Sequence, residues 1–577
     1  MTTPVGLTPS SQAALEQAKL LFLQGSDALG RSEAKEAVDC FQEALKLAPG
    51  HLGIMVALGA AHVALEQFHE AQSYCEAVLD EGLGVAEGWN LLGVINQKLG
   101  RPREGLACFE KALGLKPDFT DAALNLGRAL YRLKHPKHAL DLAESIVMSG
   151  EMAQEAMQLQ AEALTALNRE DEAFQVYNAS IAMRPTPAAL GDRAHIFIKQ
   201  QRYNEALADL EQSLALAPRH FVSLYNMASL LKDTGHFRSG LAFAEQAVAV
   251  SPGDADARYL RSVLNLITGD FDGGWADFDA RFNIPESPVV RRINNPYVWN
   301  FEACDRLVVW GEQGIGEEVL FSTCLNNVLP LAKSVVLVVN PKIKSLLQRA
   351  FPGTEVLGYL EVDGLLYTHH IPMGDLAKRF RPSLSSFSMH PVSTLRADSI
   401  RVSAVSAELA KYSKSGLRVG LTWFSGSHEY NGFKSIPLSA LSPLLEMPNL
   451  QFVNLQYGPQ ALEADGIPVG QGSGLIRLQS VDAYDDLEGL AALIETCDVV
   501  VSVSNTTAHL AAALCKPLLL LLPLGPGHFW YWHCGTLDRQ VPWYTDVRRF
   551  VQRTPGDWTP VVADVAAALQ SLSRGEG

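Results

Sequence analysis

A glycine-rich segment with three glutamates is the first place in the sequence where side chains of suitable type could do chemistry. It reads W-G-E-Q-G-I-G-E-E-V-L-F over residues 310–321 and follows an apolar run typical of a buried strand. Gly311, Gly314 and Gly316 permit a tight turn that brings a helix start close to a ligand. A carboxylate on this turn, Glu317 above all, can take a proton from an attacking hydroxyl as a general base. The plainer interpretation is that the glutamates only stabilise the first helical turn.

A second candidate site follows the apolar run V-V-V-S-V at residues 499–503. Four polar residues precede a small-residue helix there, namely Ser504, Asn505, Thr506 and Thr507. Hydroxyl and amide side chains, together with the free N–H groups of a helix start, form a site for a phosphate or diphosphate. Capping of the helix by Ser504 or Asn505 is the alternative. His509, in the first turns of this helix, is either a donor contact or a buried histidine.

Two further strand ends carry polar candidates. The loop that ends in K-S-I-P-L places Lys434 and Ser435 after one strand, and N-L-Q-Y-G adds Gln456 after the next. Lys434 can neutralise a phosphate as charge develops on a leaving group; a solvated loop lysine is the plain alternative. The predicted binding set for a phosphate-bearing ligand at these strand ends is Trp423, Lys434, Ser435, Gln456, Ser504, Asn505, Thr506, Thr507 and His509.

The elements that position these residues are short apolar runs alternating with helical stretches after Phe282. The predicted strands are 306–310, 334–339, 355–357, 365–368, 418–423, 451–455, 475–478, 499–503 and 517–522. Runs that are apolar throughout indicate parallel strands buried on both faces, and the alternation with helices indicates βαβ units. Ligands in such folds lie beyond the carboxyl ends of the strands. The sequence therefore predicts two doubly wound α/β lobes that face a cleft.

The first half of the chain repeats with a period of 34 residues. Small residues that precede a helical run recur at Ala37, Ala71, Gly105, Ala139, Ala173, Ala206, Gly240 and Gly274. Each unit is a pair of amphipathic helices that cannot bury its apolar face alone, so the pairs stack into a solenoid. Asn125 and Asn226 lie on first helices, and the resemblance of the 34-residue unit to the tetratricopeptide repeat implies that amides at these positions bind the backbone of a protein ligand. An exposed asparagine without a partner is equally compatible with these positions.

Composition and charge exclude several classes of protein. Hydrophobic residues make up 47% of the chain and charged residues 19%, which is typical of globular proteins. Residues 1–280 contain 23 Lys and Arg against 36 Asp and Glu, so −13 of the net charge of −16 lies there. Nucleic acid is therefore not an expected partner, because phosphate binding needs concentrated cations. No apolar run approaches the ~18 residues of a transmembrane helix, no signal peptide is evident, and the eight cysteines form no CxxC pair. The sequence predicts a cytoplasmic protein.

These motifs resemble those of a known class of bacterial enzymes. The 34-residue unit, fullest in W-N-L-L-G and G-L-A-C-F-E-K-A-L-G-L-K-P, resembles the tetratricopeptide repeat. The second half resembles the heptosyltransferase group of glycosyltransferases, with the GT-B fold, in G-E-Q-G-I-G-E-E, H-I-P-M-G-D-L, G-L-T-W, K-S-I-P-L, F-V-N-L-Q-Y-G, D-D-L-E-G-L-A-A-L-I, S-N-T-T-A-H-L-A-A-A-L-C-K-P and P-W-Y. The layout is similar to that of O-GlcNAc transferases and flagellin glycosyltransferases, and the resemblance covers essentially the whole chain.

The resemblance implies a domain organisation and a function. It implies an all-α superhelical solenoid over residues 1–285, an acceptor-side Rossmann-like lobe over 286–413 and a nucleotide-sugar lobe over 414–577. Glu317 matches the catalytic aspartate of heptosyltransferases, whereas Ser504 stands where many relatives have an aspartate. The expected activity is protein O-glycosyl transfer from a nucleotide sugar, inverting and without a metal or other cofactor, to a protein acceptor held by the repeats, with flagellin a candidate. The alternatives are a non-catalytic interaction scaffold and a transferase that acts on a small-molecule or lipid-linked glycan.

Overall fold

The structure is a computed structural model that describes residues 9–80, 85–150, 152–285, 287, 289–362, 364–388, 395–412, 416–426, 430–464, 475–536 and 541–575. Its contacts divide the chain into two compact units, residues 1–196 and 197–577. The predicted domain boundaries after residues 285 and 413 stay predictions. Residues 427–429, part of the predicted loop before Lys434, lie outside the described residues.

The first half of the chain is helical, as its 34-residue period predicts. Its helices are α1 Pro9–Gly30, α2 Ala34–Leu47, α3 Leu52–Ala64, α4 Phe68–Asp80, α5 Ala86–Lys98, α6 Pro102–Leu115, α7 Thr120–Arg132, α8 Pro136–Ser149, α9 Ala153–Ala166, α10 Glu170–Met183, α11 Pro187–Lys199, α12 Tyr203–Leu216, α13 Phe221–Asp233, α14 Phe237–Val250, α15 Ala255–Thr268 and α16 Phe271–Asp277. The eight recurring small residues all lie on the even-numbered helices. The predicted all-α repeat architecture is therefore confirmed.

Small residues allow the two helices of a pair to approach closely. In the first unit, Ala37 of α2 and Ala139 of α8 are completely buried. In the second unit, a Cβ atom added at Gly240 of α14 would lie 3.1 Å from the carbonyl oxygen of Ala228 on α13. A larger side chain at any of these positions would push the helices apart and leave packing defects along both surfaces.

The second half contains parallel sheets flanked by helices, as predicted. The strands are β1 Cys304–Trp310, β2 Ala332–Val339, β3 Glu355–Gly358, β4 His369–Pro372, β5 Leu417–Leu421, β6 Leu450–Asn454, β7 Val499–Val503, β8 Leu518–Leu522 and β9 Val547–Val551. The helices are α17 Ile315–Ser322, α18 Leu325–Val328, α19 Lys344–Ala350, α20 Leu376–Phe380, α21 Ser385–Ser388, α22 Ser399–Leu409, α23 Asn431–Lys434, α24 Ser442–Leu445, α25 Leu487–Glu495, α26 Thr506–Ala513, α27 Trp530–His533 and α28 Thr559–Ser573.

The two sheets have the strand orders β3-β2-β1-β4 and β6-β5-β7-β8-β9, and every described pairing within them is parallel. The strand order reverses beside β1 in the first sheet and between β5 and β7 in the second. Ligands of open parallel sheets bind outside the carboxyl ends of the strands at such reversals. The predicted site residues follow β1, β5 and β7, so the topology directs them to these positions.

The last repeat helices share a hydrophobic core with both sheets. This core contains residues of α15 and α16 together with β1, β7 and β8. Trp275 of α16 packs edge-on against Trp530 at 5.6 Å between ring centroids and against Phe278 at 5.2 Å. The end of the repeat array therefore belongs to the same compact unit as the α/β region.

Three strand predictions were wrong in detail. The strand predicted at 365–368 is not present, and β4 begins at His369 instead. The predicted run includes Leu366, which is 83% exposed, whereas His370 of β4 is buried and accepts a hydrogen bond at Nδ1 from Trp310. The predicted strand 475–478 is reduced to a single bridge between Ile476 and Val453. β9 is not among the predicted strands, and its two central arginines, Arg548 and Arg549, interrupt the apolar pattern that identifies the other strands.

Candidate active site

The Gly-rich turn connects β1 to α17 and places Glu317 in the first turn of that helix. The Glu317 side chain is half-buried, and its Oε1 accepts a hydrogen bond from the hydroxyl of Tyr531 at 3.2 Å. Burial raises the pKa of Glu317, while the helix-start N–H groups, Tyr531 and the charge of Lys434 oppose that shift. A partly exposed carboxylate with a raised pKa is suited to accept a proton.

The other two glutamates of the turn are interior groups. Glu318 is 2% exposed; its Oε2 accepts from the backbone N–H of Asn340 at 2.9 Å, and its Oε1 accepts from the hydroxyl of Tyr359. Burial raises the pKa of Glu318 to about 7. Glu312 pairs with the fully buried Arg281 at 2.7 Å. Of the three carboxylates, only that of Glu317 is partly exposed.

Gly316 allows α17 to pack on α26, which follows the other sheet. A Cβ atom at this position would lie 2.7 Å from Cδ2 of His509. His509 is buried, its Nδ1 is 2.9 Å from the hydroxyl of Tyr544, and its ring packs on Trp532 at 4.5 Å. Burial lowers the pKa of His509 to about 3, so the imidazole is neutral. The contact brings the turn after β1 and the helix after β7 together, with Gly311 and Gly314 in the same turn.

Lys434 is the last residue of α23 and is only 4% exposed. Its Nζ lies 4.5 Å from the centre of the Phe529 ring, and its alkyl chain approaches Gly527, where an added Cβ would be 2.8 Å away. Burial lowers the pKa of Lys434 to about 8, and the negative charge of Glu317 opposes the shift. The next residue, Ser435, accepts a hydrogen bond from the N–H of Ser425 at 3.1 Å. Lys434 is thus a buried cation within electrostatic reach of Glu317.

The turn between β7 and α26 is fixed by its own side chains. Asn505 caps α26: its Oδ1 accepts from the N–H of Ala508 at 3.1 Å, and its Nδ2 donates to Thr422 and Phe424. Ser504 accepts a hydrogen bond from Trp532 Nε1 at 2.9 Å. Asn505 therefore caps the helix, which is the alternative to ligand binding that the sequence allows.

Two threonines at the start of α26 have different surroundings. Thr506 is half-buried, whereas Thr507 is completely buried. The hydroxyl of Thr507 has no hydrogen-bond partner within the described part of the chain. The first N–H groups of a helix have no intrahelical acceptor and point along the axis. The helix start can therefore receive an anion through these groups and the Thr506 hydroxyl.

Gln456 and Trp423 shape the loop after β5. Gln456 Oε1 accepts from the N–H groups of Trp423 and Phe424 at 3.0 and 2.9 Å, and its Nε2 donates to the carbonyl oxygens of Phe424 and Tyr457. Trp423 is buried, with Nε1 3.4 Å from Glu463. These side chains hold the loop in place, and their predicted direct contacts with a donor stay predictions.

Tyr531 is the residue of this site that the sequence did not single out. The segment 528–534 is rich in aromatic residues, which is compatible with a pocket wall or with packing, and the sequence alone does not mark Tyr531 as a contact of Glu317. Tyr531 stacks on Phe529 at 5.4 Å with an interplanar angle of 8°, and burial raises its pKa well above the usual value, so its hydroxyl stays a donor. Alternation along the segment is the signal: Phe529 and Tyr531 face the charged pair, whereas Trp530 packs on Trp275.

A row of amide and carboxyl side chains runs along the first helices of the repeat pairs. In the first unit, Asn125 Nδ2 donates to Asn90 at 3.0 Å, and Gln158 Nε2 donates to Asp192 at 2.6 Å and to Glu162 at 2.8 Å. Burial raises the pKa of Asp192 to about 6 and also raises that of Glu162. Asn226 of α13 is buried in the second unit.

The 34-residue period of the sequence is the signal that identifies Gln158 and Asp192, the two members of this row that were not predicted. Asn125, Gln158, Asp192 and Asn226 occupy the same position of α7, α9, α11 and α13. The row is therefore a property of the repeat, and its members before Asn226 are hydrogen-bonded in neighbouring pairs.

Comparison with known proteins decides the nature of the first half. Two sequence profiles of the tetratricopeptide repeat match residues 96–150 and 197–264. The helical half is a tetratricopeptide-repeat array. A crystal structure of a tetratricopeptide repeat protein from Parabacteroides merdae covers 43% of this chain and 99% of its own, at 14% identity and a TM-score of 0.36. The Cut9–Hcn1 hetero-tetramer of the APC/C covers 47% of this chain and 54% of its own, at 14% identity and a TM-score of 0.41.

Two curated proteins align with larger or different parts of the tetratricopeptide-repeat chain. Protein FlbA of Caulobacter vibrioides is 28% identical over 581 residues, which cover 95% of each chain, so the similarity includes the α/β half. The human Protein O-mannosyl-transferase TMTC1 is 25% identical over 218 residues, which are 37% of this chain and 21% of that protein. Among the described residues, no helix has the length and apolarity that crossing a membrane requires.

Proposed function

We propose that the chain is a protein O-glycosyltransferase that transfers a sugar from a nucleotide-activated donor to a Ser or Thr hydroxyl. The observation that carries the proposal is the meeting of three groups from two sheets: the Glu317 carboxylate after β1, the Lys434 ammonium after β5 and the start of α26 after β7. A base and an anion site that face each other are the two functions that glycosyl transfer from a nucleotide sugar needs.

Each group has one role in the proposed reaction. Glu317 takes the proton from the acceptor hydroxyl as its oxygen attacks the anomeric carbon. The bond between that carbon and the donor phosphate oxygen breaks, and the nucleoside diphosphate leaves with the electron pair. The Lys434 ammonium and the first N–H groups of α26 stabilise the growing negative charge. Attack from the side opposite the leaving group inverts the anomeric centre, and the protein's own cations meet the phosphate charge without a metal.

The repeats supply the protein acceptor in this proposal. Asn125, Gln158 and Asp192 present polar groups of the kind that bind an extended backbone, and residues 1–280 carry a net charge of −13. A neutral or basic acceptor segment fits such a surface better than an acidic one. Holding the acceptor on the same chain raises its effective concentration at Glu317. Flagellin is the acceptor we expect from the resemblance to flagellin glycosyltransferases.

The decisive experiment is intact-mass analysis of proteins that co-purify with the chain and with its Glu317→Gln variant. We expect a sugar-sized mass increment on an acceptor with the wild type, and a loss of turnover of about 10²–10⁴-fold with the variant, since a general base contributes about that much. The matched control is Glu302→Gln, which removes an exposed carboxylate outside the site and should leave transfer unchanged.

Donor binding separates a transferase from a non-catalytic scaffold. In a thermal-shift panel of nucleotide sugars, a true donor at a hundredfold excess over its dissociation constant should stabilise the chain by about 2.7 kcal/mol. Glu317→Gln should keep that shift, because the base does not bind the diphosphate. No shift with any donor, together with unchanged acceptor masses, would contradict the proposal and favour the scaffold. Transfer that survives deletion of the repeats would favour a small-molecule or lipid-linked acceptor.

A further inference from the structure

A cavity of about 440 Å³ lies beside the loop that carries Lys434. It is lined by residues that follow β5, β8 and β9, among them Trp423, Leu524 and Trp558, and by Gln201 from the turn before α12. The carboxyl ends of parallel strands are where α/β proteins bind ligands, and this volume lies within the usual range of small-molecule pockets. The cavity is thus positioned and sized as a binding site.

This cavity lies apart from the Glu317 carboxylate, the Lys434 ammonium and the start of α26, although Trp423 and Ser435 of the predicted ligand-binding set line it. Phe433 and Ser435 line it, whereas the residue between them, Lys434, directs its side chain to Gly527 and Phe529. Neither Glu317 nor the threonines of α26 are among its described lining residues. The short segment around Lys434 therefore has the charged pair on one side and the cavity on the other.

The cavity contains a buried hydrogen-bond donor that the protein does not use. Gln552 is 4% exposed, and its Oε1 accepts from the N–H groups of Leu524 and Gly556 at 3.1 and 3.2 Å, which fixes the side chain. Its Nε2 has no acceptor within the described residues. A buried amide without a partner costs free energy, and a ligand oxygen at this point would recover it.

The remaining lining residues define the chemistry of the ligand. The lining includes three aromatic residues, the partly exposed Phe433 and the buried Trp423 and Trp558, together with the exposed carboxylate of Glu463 and the amide of Gln201. No lysine, arginine or histidine occurs among the described lining residues, so the cavity lacks the cations that a phosphate needs. Aromatic rings with fixed amide donors and a carboxylate acceptor suit a ring that has one apolar face and several hydroxyl groups.

We propose that this cavity binds a neutral saccharide of one or two rings, at a site separate from the charged pair. The sugar's ring packs on the aromatic wall, one of its oxygens accepts from Gln552 Nε2, and its hydroxyls donate to Glu463. Such a ligand contacts Phe433 and Ser435. Because Lys434 lies between these two residues in the chain, the ligand also stabilises the position of Lys434. Binding needs no turnover, so the inference stands or falls independently of the proposed transfer.

The test is titration calorimetry of the full chain with glucose, galactose, mannose, rhamnose, N-acetylglucosamine, N-acetylgalactosamine, maltose and lactose. We expect at least one to bind with a Kd of about 1 mM or tighter. Gln552→Glu keeps the acceptor oxygen for Leu524 and Gly556 but removes the donor, and it should weaken binding at least tenfold. Phe433→Ala should do the same by removing part of the wall. Glu446→Gln, an exposed carboxylate outside the cavity, should have no effect.

Two further titrations sharpen the assignment. Inorganic pyrophosphate should not compete with the sugar, because the cavity lacks cations; competition would overturn a separate site. A serine peptide that bears the same sugar distinguishes the source of the ligand: equal binding indicates a free saccharide, and tighter binding indicates a glycan on a modified protein. No binding by any sugar of the panel, or equal binding by the wild type and both cavity variants, would overturn the proposal.

Discussion

At the scale of single residues, Glu317 and Lys434 have pKa values displaced towards each other. Burial raises the pKa of the carboxyl from 4.5 and lowers that of the amine from 10.5 to about 8. Their mutual attraction opposes both shifts, so desolvation is the larger effect in each case. Groups that a fold keeps near their titration range in this way are typical of sites that exchange protons or bind anions.

These shifts predict a bell-shaped dependence of kcat/KM on pH for acceptor glycosylation. Glu317 must be ionised to act as a base, so activity should rise as pH increases through its raised pKa. Lys434 must be protonated to stabilise the leaving diphosphate, so activity should fall as pH increases through about 8. Initial rates between pH 4.5 and 9.5 measure both limbs, which report the free enzyme.

The variant Lys434→Arg tests whether deprotonation of Lys434 causes the fall in activity at alkaline pH. Arginine keeps its proton to above pH 12, so the fall near pH 8 should move upward or disappear even where the maximal rate is lower. If the variant retains the wild-type alkaline limb, the titrating group is not Lys434.

The variant Tyr531→Phe tests the acid limb of the same profile. Loss of the hydrogen bond from Tyr531 to Glu317 should raise the pKa of the carboxyl and shift the acid limb to higher pH.

At the scale of elements, the contact between α17 and α26 brings the base and the anion site together. The two helices follow different sheets, and Gly316 and His509 are where they meet. His509 is fixed by Tyr544 and Trp532, so it cannot easily yield to a larger neighbour. The spacing between the proposed base and the proposed anion site therefore depends on the absence of a side chain at residue 316.

Gly316→Ala should lower stability and activity together. The new methyl group would lie 2.7 Å from His509, and overpacking of this kind costs about 1–3 kcal/mol, more than the ~1 kcal/mol that alanine gains over glycine in a helix. Calorimetry and the acceptor-mass assay measure the two effects. Gly114→Ala in α6 is the control, because nothing lies within 4 Å of that position, and it should be neutral or stabilising. Equal stability of both variants would show that α17 can move away from α26.

The helices and strands could be predicted from the sequence more completely than the contacts between them. Continuous apolar runs identify β7 and β8, because both faces of these strands are buried. The same pattern does not identify β9, because this strand contains a buried arginine. Arg549 is 8% exposed and donates to the carbonyl oxygen of Trp532, a partner that the sequence pattern does not reveal. At the site, residue type and strand position suggested Glu317 and Lys434, whereas the hydrogen bond from Tyr531 depends on how two distant segments pack.

At the scale of the whole molecule, a buried ionic cluster connects the segment after the last repeat helix to the Gly-rich turn before α17. Arg281 is completely buried, and its Nη2 lies 2.7 Å from both Glu312 and Asp375. Its guanidinium lies between the rings of Phe278 and Phe282, 4.1 and 4.2 Å from their centres. Removing one member of a buried ion pair costs about 3–5 kcal/mol, because the remaining charge is left without a partner. Residues before 286 are therefore part of the structural support of the site.

Two fragments test this dependence. The fragment 187–577 keeps α11 whole and retains Arg281, Trp275 and Phe278, so it should unfold cooperatively and keep the donor-induced thermal shift. The fragment 286–577, cut at the predicted domain boundary, removes Arg281 from Glu312 and Asp375 and removes Trp275 and Phe278 from Trp530, so it should aggregate or lack a cooperative transition. Circular dichroism melts and the donor panel measure both.

The fragment 187–577 should also lose glycosylation of a protein acceptor while it retains donor binding, since it lacks the polar row at Asn125 and Gln158. A stable, donor-binding 286–577 would contradict the role assigned to Arg281.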